Sequence, residues 1–299
     1  MVGSTVNTID VWWDGDADGV VNMGADECLA AEAQRRGGML VRLYGWSKST
    51  VSLGAFQKLS DALAIRAIRG MPIVRRPSGG GAIVHGSDLT YAAAVPKTHP
   101  WGSAPQLLYD ALHGAMAEVL REDGIAATIY RAVIDSPSSQ SEIENRGQSP
   151  EPFFCFERRS TGDLVGRTGD LVGRTGDLVG RTGDLVGSAN ADPIKIMGSS
   201  QRRLEGAVLQ HGSLLICHNP DFGEPVGSGQ VRQQGLADLP GFSNDSFNRG
   251  HLERRWLQRV AASLSAIVRE QPRSFLLEKE LEIKSFTQRF REERWTNRR

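Results

Sequence analysis

Three consecutive glycines, Gly79, Gly80 and Gly81, stand between the β-branched runs Ile73-Val74 and Ile83-Val84. Glycine packs no side chain and loses the most backbone entropy on ordering, so neither a helix nor a strand runs on through such a triplet. Residues 73–91, IVRRPSGGGAIVHGSDLTY, therefore read as strand, tight loop, strand. A loop of this kind lets the main chain approach a ligand and aim N–H groups at an anion or a carbonyl oxygen. Arg75 and Arg76 beside it suit phosphate or carboxylate. The plain alternative is a glycine turn with solvated arginines. The block fits neither the Walker A pattern nor a strand-to-helix GxGxxG.

The flanking sequence supplies both kinds of element. Residues 20–36 predict a helix with Asn22 as a candidate cap and Gly37-Gly38 as the stop. MLVRLYGW (39–46) and TVSLGAF (50–56) read as strands, and SDALAIRAIRG (60–70) as a short helix capped by Ser60 or Asp61. DLTYAAAVP is a strand that Pro96 ends, and residues 104–124 give the clearest amphipathic helix. KIMGSSQRR, AVLQHG and SLLICH are strand-like runs separated by turn residues. In the tail, helices are expected over 251–270 and from 275 to about 294, split by Pro272. Strands mixed with helices, without strict βαβ alternation, predict an α+β fold: a mixed β-sheet domain flanked by helices, with a helical C-terminal tail.

Residues 161–167, TGDLVGR, recur at 168–174 and 175–181, and as TGDLVGS at 182–188. Near-identity over four copies marks a recent duplication of a short unit. A seven-residue unit is too small to bury a solenoid face. Two glycines per seven residues rule out a coiled coil, and in a strand an odd period sends Leu-Val to the opposite face in each copy. The copies read as a lengthened hairpin in which one suffices for the turn, and they repeat Asp, Arg and Thr without a His, Cys or Lys. Residues 131–152, rich in Ser, Pro, Asn and Gln, read as an exposed loop.

The expected organisation is a catalytic domain over 1–225, an irregular connector over 226–250 and a basic helical tail over 251–299. The chain carries 35 Lys+Arg and 35 Asp+Glu, so no global field attracts nucleic acid or membrane lipid. The balance is uneven, because residues 251–299 hold 12 basic against 7 acidic side chains. No apolar run approaches the roughly 18 residues of a membrane span. The N-terminus has neither the basic nor the apolar part of a signal peptide. Three cysteines, an odd number without CxxC spacing, argue against a disulfide framework or a zinc site and for a reducing compartment, the cytoplasm.

Among the cysteines, Cys28 lies among alanines on a helix and Cys217 follows SLLI, so both read as small buried hydrophobes. Cys155, in EPFFCFERR, precedes Glu157, Arg158 and Arg159. Nearby cations favour the thiolate, which is the nucleophilic form. Lys195 sits inside an apolar strand-like run. There it is either an edge lysine reaching water or a donor for an oxyanion. His211, in LQHGS, is either a turn histidine or a ligand-orienting group.

The sequence resembles the lipoate–protein ligase A family of the biotin/lipoate ligase superfamily. NMGADECLA is similar to that family's N-terminal helix, TVSLGAFQ to its early strand, RRPSGGGAIVHGSDLTY to its acyl-site loop, and KIMGSSQRR with AVLQHGSLLI to the block carrying its site lysine, here Lys195. The motifs follow in the family's order from about residue 22 to 216. The resemblance implies a biotin/lipoate ligase-like fold, with Cys155 and Lys195 catalytic. It places Arg75, Arg76, Ser78, Gly79, Gly80, Gly81, His85, Gly198, Ser199 and His211 around the substrate. Cys155-Phe156 is similar to the cysteine pair of the family's cysteine-dependent octanoyltransferases. That implies transfer of an octanoyl group from an acyl carrier protein to a lysine of a lipoyl-domain protein, such as the glycine-cleavage H protein. No cofactor or metal is then required. A thioester is already activated, whereas the alternative, an ATP-dependent lipoate ligase, must make an adenylate and needs ATP and Mg. A third reading is a non-catalytic acyl-carrier-binding protein.

Overall fold

The computed structural model describes residues 7–131, 152–168, 193–223 and 233–298. Most of the polar loop and the heptad copies after the first lie outside the described residues.

Alternation along the strands builds two apolar faces on one sheet. In β1 (Thr8–Ala17), Ile9 and Val11 point to one side and Trp12 to the other. In β2 (Met39–Trp46), Met39, Val41 and Leu43 oppose Leu40, Tyr44 and Trp46. A sheet apolar on both faces must be covered on both. On one side lie α1 (Gly19–Arg36) and α7 (Glu280–Arg291), with Met23, Leu29, Ile283 and Phe290 inward. On the other lie α4 (Pro105–Glu122) and α5 (Arg249–Ser263), with Leu108, Leu112, Met116, Trp256, Leu257 and Val260 inward. The sheet completes itself with β6 (Asp88–Pro96), β7 (Ala127–Ile129), β8 (Leu164–Gly166), β9 (Ile194–Arg203), β10 (Ala207–Leu215) and β11 (Ile267–Glu270). Its order is β11-β1-β2-β6-β10-β9-β8-β7. The first two pairings are parallel and the other five antiparallel. A second sheet, β4-β3-β5, is formed by β3 (Thr50–Leu53), β4 (Ile73–Arg75) and β5 (Ile83–His85), and carries the glycine loop. The α+β expectation holds.

Four local expectations are corrected. Helix α1 is capped by Asp18, whose carboxylate accepts from Val20 N, while Asn22 is buried inside the helix and donates to Gly45 O at 3.0 Å. Capping needs an extended residue one turn earlier, and Asp18 has that conformation. Helix α2 (Leu59–Ala64) begins after Lys58, without a side-chain cap from Ser60 or Asp61. AVLQHG and SLLICH form one strand rather than two, because β10 pairs with β6 residue for residue from Ala207↔Pro96 to Leu215↔Asp88. The C-terminal helices are present, but residues 267–270 are a strand: Ser265 at φ 48° stops the preceding helix and β11 joins the edge of β1.

The C-terminal segment shares the main core. Trp256 is fully buried, donates its indole N–H to Leu112 O at 2.8 Å and meets Tyr91 edge-on at 4.9 Å between centroids. Trp256→Ala is expected to lower unfolding stability by about 3–5 kcal/mol, read by denaturant titration. A loss under about 1 kcal/mol would show that the segment packs loosely.

Candidate active site

The glycine loop and the cysteine segment are tied together by main chain. Ala82 N donates to Phe153 O at 2.9 Å and Cys155 N to Ala82 O at 2.8 Å. A Cβ on Gly81 would stand 2.8 Å from Cys155 N, so only glycine admits this approach. Phe154 anchors the segment in a small apolar cluster, meeting Phe222 edge-on at 5.2 Å. Cys155 then opens a 3-10 turn and is only partly buried.

Lys195 reaches the same point from β9. It is 5% exposed, with Nζ 3.4 Å from Cys155 Sγ and 2.9 Å from Asp163 Oδ2. The lysine is no edge residue reaching water. A Cβ on Gly198 would lie 2.4 Å from Lys195 Cε, so the absent side chain is what leaves room for the lysine stem. Burial works against the ammonium form, but the Cys155 thiolate and the Asp163 carboxylate outweigh it and hold the lysine pKa above its ordinary value. Lys195 is therefore a cation and a donor.

Asp163 was not legible from the sequence. It belongs to the first heptad copy, read as chemically empty, and its three twins disguised it. Its carboxylate accepts from Ser160 N at 2.6 Å and from Tyr109 OH at 3.0 Å, which fixes it under the lysine. His113 is the second residue missed. Burial, with the Lys195 charge adding to it, pushes its pKa down to about 3 despite the opposing hydrogen bond to Gly162, so the imidazole is neutral. With Nδ1–H donating to Gly162 O at 2.8 Å, Nε2 accepts from Ser199 Oγ at 2.6 Å. Ser199 in turn meets Tyr91 OH at 2.6 Å, which accepts from Gln210 at 2.9 Å. This chain of hydrogen bonds steadies the turn before Asp163.

Other predicted residues support the loop. Ser78 is buried and hydrogen-bonded to His211 Nε2, and His211 Nδ1 meets Asp26 Oδ2 at 3.2 Å. His211 is thus a mid-strand residue, not a turn histidine. His85 stacks on Trp46 at 4.0 Å and bridges Ser52 at 2.7 Å to Asp88 at 2.8 Å. Arg75 and Arg76 direct guanidinium N–H groups at main-chain carbonyls: Arg75 at Gly54, Gln57 and Thr296, Arg76 at Ser52, Gly79 and Gly81. Arg75 lines neither cavity of the site. Cys217 is exposed, because β10 ends at Leu215 and the chain turns out there; the expectation of a buried residue is corrected.

Two cavities meet at Cys155, which lines both with Gly80 and Ser199. The inner one is walled by Met23, Tyr44, Trp46 and Ile83, with His85 and His211. The outer one holds Lys195, Asp163, Tyr109, Gln106 and Arg158. A thiol flanked by a buried ammonium, with an apolar recess behind and a polar opening in front, suits an acyl group bound tail-inward.

A mixed sheet covered on both faces by helices is the fold of the lipoate-protein ligases. The chain belongs to the lipoyl protein ligase A/B catalytic domain family, whose model matches residues 18–224. The octanoyltransferase LipM of Anoxybacillus flavithermus is 30% identical over 214 residues, which cover 70% of this chain and 65% of that protein. LipM of Geobacillus kaustophilus is 31% identical over 201 residues, 65% of this chain and 60% of its own length. The chain thus spans less than two thirds of these relatives. Among solved structures, lipoate-protein ligase A bound with ATP superposes at TM-score 0.61 with 16% identity, covering 98% of this chain and 99% of that one, which shows the fold. Among the described residues, no helix is long and apolar enough to cross a membrane.

The heptad reading now divides. Deleting residues 168–188 keeps Asp163 and β8 and is expected to preserve transfer and melting temperature. Deleting 161–188 removes Asp163 and is expected to abolish transfer. Loss of activity in a folded 168–188 deletion would give the extra copies a working role.

Proposed function

We propose that this protein transfers an octanoyl group from octanoyl-[acyl carrier protein] to a lysine of a lipoyl-domain protein, through a thioester on Cys155. The observation that carries the reading is Lys195 Nζ at 3.4 Å from Cys155 Sγ, where the two cavities meet. The octanoyl tail lies in the inner cavity and the carrier thioester enters from the outer one. Cys155 thiolate attacks the thioester carbonyl; the new C–S bond forms as the carrier's C–S bond breaks and the carrier thiolate leaves. Lys195 donates to the oxyanion. The acceptor lysine, as free amine, then attacks the enzyme thioester, forms the amide, loses a proton and returns Cys155 as thiolate. No adenylate is needed, since each acyl donor is already a thioester. Arg75, Arg76, Ser78, Gly79, Gly80, Gly81, His85, Gly198, Ser199 and His211 shape the substrate site in this reading, and a cytoplasmic location belongs to it.

The test is octanoylation of a lipoyl domain, followed by mass spectrometry, with octanoyl carrier and no ATP. Transfer under these conditions supports the reading. Modification that requires ATP and free octanoate would replace it with a ligase.

A further inference from the structure

One buried cation at the Cys155 site has no carboxylate partner among the described residues. Lys195 is the obvious counter-cation, but its ammonium is already matched by Asp163 at 2.9 Å. The Lys195–Asp163 pair is neutral as a unit. Arg158 is half-buried and lines the outer cavity, not the inner one. Glu157 lies on the same 3-10 turn as Cys155, is exposed, and accepts from Phe154 N at 3.3 Å. His211 is kept neutral, since burial pushes its pKa down more than the Asp26 contact raises it. His85 gives both ring nitrogens to Ser52 and Asp88.

Arg76 is the exception. It is 4% exposed and lines the inner cavity with Cys155. Its donors go to the carbonyls of Ser52, Gly79 and Gly81 and to the Ser52 hydroxyl, and its Nε has no partner. Among the described residues no carboxylate pairs with it, unlike Arg42, which is equally buried and matched by Asp14 and Asp26. A buried guanidinium without an anion is costly, because carbonyl dipoles offset its desolvation only in part. The loop it ties down is the loop that Cys155 N touches through Ala82 O.

We propose that Arg76 is the counter-cation of the Cys155 thiolate on the inner-cavity side: a positioning residue that holds the glycine loop and brings there a buried positive charge that no carboxylate pairs with among the described residues. The four groups, thiolate, Lys195, Asp163 and Arg76, then sum to zero. Consistent with this, burial pushes the Arg76 guanidinium down to about 10 while the Cys155 charge is the main influence opposing it. The proposal rests on Cys155 as nucleophile. It assigns Arg76 to the enzyme's own anion, not to a phosphate or carboxylate of the substrate.

The test is the rate of Cys155 alkylation by iodoacetamide in the full chain, read at the Cys155 peptide by mass spectrometry across pH. This reports the thiolate without needing acyl transfer, so it fails independently of the transferase reading. Arg76→Gln is expected to slow alkylation near neutral pH by about tenfold or more, with the gap closing as pH rises through the thiol range. Arg76→Lys keeps the charge but cannot make the same fork of carbonyl bonds, and is expected to stay within about threefold of wild type. Asp163→Asn, isosteric but with a single amide oxygen that keeps only one of the two hydrogen bonds from Tyr109 and Ser160, removes the charge matched to Lys195 and is expected to speed alkylation. If Arg76→Gln does not fold, Arg76→Lys and Asp163→Asn carry the test. Equal slowing in the Gln and Lys variants at every pH, a lysine variant slowed tenfold, or no change in Asp163→Asn would overturn the proposal and leave Arg76 a purely structural tie.

Discussion

Cys155→Ser is expected to abolish formation of the proposed acyl-enzyme, while Cys28→Ser and Cys217→Ser are expected to leave it intact. The expectation follows from where the three thiols sit. Cys28 is buried on α1, and burial, reinforced by Glu282, pushes its pKa up to about 11, so little of it ionises at neutral pH. Cys217 is exposed beyond the end of β10 and lines neither cavity at Lys195. Only Cys155 has a buried ammonium within 3.4 Å and an apolar recess behind it. Serine in its place is a far weaker nucleophile, since its hydroxyl stays protonated and no base activates it. The check is intact mass after exposure to octanoyl carrier, run on all three variants with melting temperatures as controls. An acyl adduct on Cys155→Ser equal to wild type would remove the cysteine mechanism.

Lys195→Ala is expected to lower the rate of the proposed transfer by about 10²–10³-fold, the usual consequence of removing one oxyanion donor. The structure adds a second effect, because Asp163 is left as a buried carboxylate without its cation, which costs about 3–5 kcal/mol. A double variant separates the two. Lys195→Ala with Asp163→Asn removes the stranded charge, so stability is expected to recover while the rate does not. Single-turnover kinetics and denaturant titration read the two quantities. A stable double variant transferring at the wild-type rate would make Lys195 half of a structural ion pair and nothing more.

Residues whose role depends on local pattern were readable without coordinates. The glycine triplet between β-branched runs gave the loop, and the strand and helix periodicities gave most elements of the sheet and its two covering layers. Cys155 and Lys195 stood out because each breaks its local context, a thiol beside cations and a lysine in an apolar run. Residues whose role depends on a distant partner were not readable. Asp163 looks identical to its twins in the later copies, and only pairing across β8 and β9 sets it beside Lys195. His113 lies on the buried face of α4 like any core residue and acquires meaning from Ser199, 86 positions away. Arg76 was singled out, and an arginine beside a glycine loop signals an anion without saying whose. Residues 267–270 read as helix because an edge strand of four residues has too little pattern to outweigh the helical run before it.

The most direct measurement of the central claim is made without acceptor and without ATP. Wild-type protein is mixed with octanoyl carrier, quenched in acid and weighed intact, then digested to locate any adduct. The account predicts one octanoyl increment per chain, on the Cys155 peptide, labile to hydroxylamine and discharged when a lipoyl domain is added. A protein that stays unmodified under these conditions, and octanoylates the lipoyl domain only when free octanoate and ATP are supplied, would contradict it.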